Sequence, residues 1–240
     1  MQMVGCRRSA SPAERSLFVD IERMSDCLCD ETFDARIFGT SLGQRMAQLQ
    51  DQDAEGRSLL KFKEAVRSFA VTATNFSGRL RQLTALRSML GWAGDGIRNS
   101  GGTEELVWEM RILGIEAMQK EIAWANSGNA KDECHRLTQG PILIATVKPA
   151  KSYLRSLQGD YDLAVRGLEK SFNDNVSKEL PEERVSSMRA RFEKAIGRPI
   201  RTNEEIRRDR ERKIEKAREE ALRRQEEKRG NDVRVDIESL

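Results

Sequence analysis

The stretch TEELVWEMRILGIEAMQKEIAWA, residues Thr103 to Ala125, decides the fold. It opens on Thr103, a favoured helix N-cap type, followed by Glu104 and Glu105, whose carboxylates suit the positive end of a helix. It closes at Asn126-Ser127-Gly128, a helix-stop signal. Between these ends Leu106, Val107, Trp108, Met110, Ile112, Leu113, Ile115, Met118, Ile122 and Trp124 fall on nearly every side of the helical wheel. A helix apolar all round is enclosed by other helices rather than laid on a surface. The expectation is an all-α protein: a multi-helix bundle around a central buried helix at about 103–125, with Trp108 and Trp124 both mostly buried.

Upstream, Ser11-Pro12-Ala13-Glu14 reads as a capping box with proline at the first helical position. Leu17, Ile21, Met24 and Leu28 then form one helical stripe, ending near Cys29. Phe33, Ile37, Leu42, Met46 and Leu49 continue the pattern, with Gly39 and Gly43 marking a possible break. Leu59, Phe62, Val66 and Phe69 predict a helix at about 58–72, and Leu80, Leu83, Leu86 and Leu90 another at about 77–90. Arg79 falls on the apolar side of the latter, placed to reach solvent from its first turn. Gly91 to Gly102 reads as a glycine-rich connection into the central helix.

Downstream, Ile142 to Val147 is a short apolar run between Pro141 and Pro149, compatible with strand or helix by periodicity. Helix is favoured, since no partner strand of equal quality exists. Val233, Val235 and Ile237 alternate like a strand, but at the extreme C-terminus. Helices are expected at about 151–158, 160–172 and 181–196, the last stopped by Gly197 and Pro199. Thr202-Asn203-Glu204-Glu205 is a second capping box, opening a run of Arg, Lys and Glu to Arg229. Its apolar seam, Ile206, Ile214, Ala217 and Ala221, is thin, and Arg207 and Arg210 interrupt a heptad frame, which argues against a two-stranded coiled coil. The domain expectation is a flexible N-terminus at 1–10, a helical bundle at 11–197, a charged solvated helix at 198–229 and a flexible tail at 230–240.

Charge is unevenly spread. Residues 14–55 hold 4 basic and 10 acidic residues, net −6, whereas 57–98 hold 8 basic and 2 acidic, net +6. Two readings compete: an electrostatic footprint for a polyanion, or acidic and basic helices packed side by side. Arg57, Lys61, Lys63, Arg67, Arg81 and Arg87 come from consecutive helices, and the tail adds Arg207, Arg208, Arg210, Arg212 and Lys213. Arginine suits phosphate because its planar fork donates two hydrogen bonds at once. Aromatics for base stacking are scarce, so binding would read backbone and shape rather than sequence.

Catalytic constellations are missing from the sequence. His135 is the one histidine, and there is no nucleophile elbow or metalloprotease helix. Gly91-Trp92-Ala93-Gly94-Asp95-Gly96 lacks the residues of a phosphate loop. Cys27, Cys29, Cys134 and His135 form a zinc-compatible set by type, but not by spacing. No enzyme activity, metal or cofactor is expected. No apolar run reaches the roughly 20 residues of a membrane-spanning helix, and four cysteines without framework spacing point to an intracellular, reducing compartment. The tail cluster of Arg207, Arg208, Arg210, Arg212 and Lys213, with Arg223-Arg224 and Lys228-Arg229, loosely resembles a nuclear-localisation run, which adds the nucleus to the cytoplasm as an expected location.

In composition and architecture, though in no motif, the chain resembles the small helical matrix and RNA-binding accessory proteins of negative-strand RNA viruses. The resemblance implies a non-enzymatic protein that binds RNA or another polyanion without sequence specificity. The alternative is a helical adaptor or scaffold whose charged tail mediates protein–protein assembly or self-association.

Overall fold

A computed structural model of the chain describes residues 12–30, 32–50, 56–69, 71, 76–127, 143–177 and 180–238, except for the side chains at 13, 25, 29, 143–150 and 225–238. Among the described residues the protein is all-α, with no strand. The helices are α1 (Pro12–Cys29), α2 (Ala35–Gln50), α3 (Arg57–Ser68), α4 (Phe76–Asn99), α5 (Glu104–Asn126), α6 (Leu143–Ser171), α7 (Glu182–Ile196) and α8 (Asn203–Glu238). A single π-helical turn, Phe172–Val176, continues α6.

Helix α5 shares its faces among three apolar clusters. Leu106, Val107, Met110 and Leu113 pack with α1 to α4. Trp108, Ile112 and Ile115 pack with α6, the π turn and α7, where Phe172 meets the Trp108 indole edge-on at 5.5 Å between ring centres. Met118 joins Leu83, Tyr153 and Leu157. Trp108 is 1% exposed, while Trp124 is only half-buried, near the open end of the helix. Thr103 stands at the N-cap with extended backbone, but its side chain caps nothing; its hydroxyl accepts from Gln50 Nε2 at 3.0 Å, and its N–H donates to Gln50 Oε1 at 3.2 Å. The long-range partner from α2 replaces the local cap and fixes where α5 begins. Leu113 is fully buried. Its replacement by Ala is expected to destabilise the fold by about 2–5 kcal/mol, through lost burial and residual cavity. Chemical denaturation measures this, and a loss below about 1 kcal/mol would refute the packing described.

Three expected breaks are not breaks. Helix α2 runs unbroken through Gly39 and Gly43, and α4 runs unbroken through Gly91, Gly94 and Gly96 to Asn99. The reason is a close helix crossing. A Cβ at Gly39 would fall nearer than 3.0 Å to the Met89 carbonyl, one at Gly43 would meet the Ala93 backbone, and one at Gly96 would meet the Thr40 carbonyl. These glycines let two backbones touch, a contact whose gain exceeds the roughly 1 kcal/mol each costs in helix propensity. The connection into α5 shrinks to Ser100–Thr103, with Gly101 at φ 75°. The third expected break, around residue 159, is also absent: α6 is one helix from Leu143 to Ser171. The run at 143–147 is helical, as favoured.

Helix α8 starts with the predicted capping box: Thr202 N–H donates to Glu205 Oε2 at 2.7 Å, and Glu205 N–H to Thr202 Oγ1 at 3.3 Å. The helix continues to Glu238, past the expected end at Arg229, and takes in Val233, Val235 and Ile237. Its side chains from Arg210 to Arg224 are all exposed. The expected N-terminal segment at 1–10 lies outside the described residues.

Candidate polyanion interface

The cations of α3 do not form an open patch. Its amphipathic pattern seats Phe62 and Val66 in the core, which turns the flanking basic residues toward acids on neighbouring helices. Arg57 lies 3.6 Å from Glu14, and Lys61 Nζ lies 2.7 Å from Glu22 Oε1, both on α1. Lys63 Nζ lies 3.1 Å from Glu109 Oε1, and Arg67 Nε 3.9 Å from Glu116 Oε2, both on α5. The opposed charges of residues 14–55 and 57–98 thus meet partly across α1 and α3. Arg81 is exposed on α4, and Arg87, half-buried, faces a different cleft between α4, α5 and α6.

Sequence reasoning missed the carboxylates that organise these contacts. Glu109 and Glu116, on α5, also receive Arg191 from α7: Nη2 donates to Glu109 at 2.8 Å and Nη1 to Glu116 at 2.7 Å. Burial pushes the Glu109 carboxyl up, but Arg191 and Lys63 outweigh it and hold it below its ordinary range. Glu169 on α6 is fully buried and takes Arg198 and a two-nitrogen contact from Arg201, together with the Arg201 backbone N–H at 3.1 Å. There too burial raises the carboxyl's affinity for protons, and the two arginines more than reverse it. A charged residue inside an apolar pattern was the available signal, since charges are almost never fully buried unless paired.

Both carboxyls titrate below their unfolded values, so their contribution to stability is fully present above the ordinary carboxylate range, near pH 4.5. It is lost as pH falls through the lowered folded values. Acid unfolding followed by circular dichroism is expected to show a steep loss of stability below about pH 4.5, and Glu169→Gln is expected to flatten that limb. An unchanged acid limb would contradict the assignment.

Arg79, the most buried cation among the described residues, corrects the expectation that it reaches solvent. It is 6% exposed, and its Nε and Nη2 donate to Glu121 at 2.8 and 3.0 Å. Its guanidinium lies 3.3 Å from the centre of the Trp124 ring, and Tyr153 donates to Glu121 Oε1 at 2.8 Å. A cavity of about 520 Å³ adjoins this group, lined also by Phe69, Leu113 and Lys120. Lys120 is already spent on the Arg67 and Phe69 carbonyls.

Helix α8 presents its cations differently. At 3.6 residues per turn, Ile206, Arg207, Arg210, Lys213, Ile214, Ala217, Arg218, Ala221 and Arg224 share an arc of about 140°. All seven acidic residues between Glu204 and Glu220 lie outside that arc. Arg207 and Arg224 lean to Glu211 and Glu220 at its edges, at 3.8 and 2.7 Å, while Arg210, Lys213 and Arg218 make no ion pair among the described residues. Arg208 and Arg212 sit on the mixed face, paired with Glu204 at 2.5 Å and Asp209 at 3.3 Å.

Among the described residues no group of His, Cys, Asp and Glu is placed to hold a metal ion. Cys27 is half-buried and unbridged, whereas Cys134, His135 and the side chain of Cys29 lie outside the description. No helix of the described residues is long and apolar enough to cross a membrane. Compared with known protein families, curated proteins and solved structures, the chain matches none.

Proposed function

We propose that this is a non-enzymatic protein that binds RNA or a similar polyanion through its backbone phosphates, with α8 rather than α3 as the main contact. The observation that carries the reading is the acid-free arc of Arg207, Arg210, Lys213, Arg218 and Arg224 on an exposed helix. Exposed ion pairs are worth about 0–1 kcal/mol, so Arg207 and Arg224 can exchange a carboxylate for a phosphate at little cost. The cations of α3, by contrast, would have to leave Glu14, Glu22, Glu109 and Glu116. From Arg207 to Arg224 the arc extends roughly 26 Å at 1.5 Å per residue.

The test compares two charge reversals of equal size in the full chain. Arg210→Glu, Lys213→Glu and Arg218→Glu together are expected to weaken RNA binding across all sequences. Each lost phosphate contact should flatten the slope of log K against log salt by roughly 0.7 on a single strand. Arg208→Glu, Arg212→Glu and Lys216→Glu together are expected to do much less. Equal losses from both would remove the face assignment. A parent chain without affinity at about 50 mM salt, where such contacts are strong, would overturn the RNA reading. The adaptor reading rests on Ile214 and Leu222, 44% and 59% exposed along the same helix, and predicts self-association or protein capture instead.

A further inference from the structure

Most half-buried arginines and lysines of the bundle reach a carboxylate on a neighbouring helix. Arg87 on α4 and Arg111 on α5 do not, and they line the same cleft of about 290 Å³ between α4, α5 and α6. No acidic residue lines that cleft. The carboxylates nearest in influence, Glu104 and Asp95, are both taken by Arg98, at 2.8 and 3.6 Å. Arg111 is left half-buried, 5.6 Å from the centre of the Trp108 ring, with its charge disfavoured by burial and by Arg98. A desolvated guanidinium without an anion is an expensive arrangement, and an incoming anion would relieve it.

The rest of the cleft is apolar. Leu90, Met110 and Ile115 form its floor and sides, and Leu163, 66% exposed, stands at its edge. Gly91, Gly114 and Gly167, one from each helix, keep it open. At Gly91 and Gly167 a Cβ would meet nothing within 4 Å, so neither glycine is required by packing. This differs from the α2–α4 crossing, where the glycines are filled against backbone. The cleft combines two arginines that have no carboxylate partner with a short apolar wall.

We propose that this cleft binds a small amphipathic anion: a phosphate or carboxylate held by Arg87 and Arg111, carried on a short apolar body that lies against Leu90, Met110, Ile115 and Leu163. The site is independent of α8 and of RNA binding.

Titration calorimetry on the full chain, with hexyl phosphate, inorganic phosphate and hexanol as probes, tests it. Hexyl phosphate is expected to saturate one site and to bind at least about tenfold more tightly than inorganic phosphate, since each methylene removed from water adds affinity; hexanol is expected not to bind. The pair Arg87→Gln and Arg111→Gln is expected to lose at least tenfold in affinity. A Cβ at Gly167 meets no atom within 4 Å, so Gly167→Leu begins without a backbone clash and places an apolar side chain at the cleft; it is expected to keep the parent's melting temperature and lose the site. Vesicles carrying a phosphatidic acid distinguish the source: capture that the two Gln substitutions abolish assigns the headgroup to a lipid, and binding of only the soluble alkyl phosphate assigns it to a dissolved metabolite. A parent chain that does not bind hexyl phosphate, or a double Gln variant that binds it equally well, would overturn the proposal.

Discussion

Replacing Glu121 with leucine is expected to cost about 3–5 kcal/mol of stability, because it leaves a buried guanidinium without its counter-charge. Arg79 and Glu121 are 6% and 4% exposed and share two hydrogen bonds, and Tyr153 donates a third to the same carboxylate. Burial, then the Glu121 carboxylate, pushes the Tyr153 hydroxyl well above its ordinary value, so the phenol stays neutral and Glu121 is its acceptor. The cost belongs to the orphaned partner rather than to the pair. Arg79→Met combined with Glu121→Leu is therefore expected to recover most of the loss, as apolar replacement of buried pairs is often neutral or better. Urea denaturation of the single and double variants measures both numbers. A single variant as stable as the parent would show that Arg79 escapes to solvent after all.

The other large effect is expected at Gly43. Its alanine variant adds one methyl group where the Ala93 backbone already stands. Side chains can rotate away from an intruder, but a helix backbone cannot, so α2 must shift relative to α4. Overpacking costs typically 1–3 kcal/mol and occasionally more, and the loss here is expected at or above about 3 kcal/mol. Gly91→Ala on α4 is the contrast: it meets nothing and removes a helix-weakening glycine, so it is expected to raise stability by about 0.5–1 kcal/mol. Thermal melting ranks the two. If Gly43→Ala melts with the parent, the two helices are not in backbone contact.

The opposite fates of these glycines show what the sequence could and could not convey. Apolar periodicity was enough for the class, because Leu17, Ile21, Met24 and Leu28, or Val185, Met188 and Phe192, point the same way whatever they pack against. Glycine is ambiguous in one dimension. At 39, 43 and 96 it marks a close crossing, and only the partner's position distinguishes that from a break. The cations of α3 were ambiguous for a related reason. Lys63 and Arg67 look outward on their own helix, yet Glu109 and Glu116, some fifty residues on, lie beside them. Net charge by segment recorded the excess without its destination. The arc on α8 was legible throughout, since it depends only on spacing within one helix; a search for apolar seams passes over it, because arginine and alanine alternate there.

The two helices that share Glu109 lie far apart in the chain: Lys63 comes from α3 and Arg191 from α7. A nascent chain emerging from the ribosome exposes α3 and α5 long before α7. Until residue 191 is out, Glu109 and Glu116 wait half-neutralised, and Glu169 waits for Arg198 and Arg201. Trp108 likewise lacks the ring of Phe192. The bundle can therefore gather the apolar cluster of α1 to α5 first, but its charged contacts and the packing around Trp108 close only later. Its final closure belongs to the last residues before α8, and this links correct assembly of the interior to delivery of the whole chain.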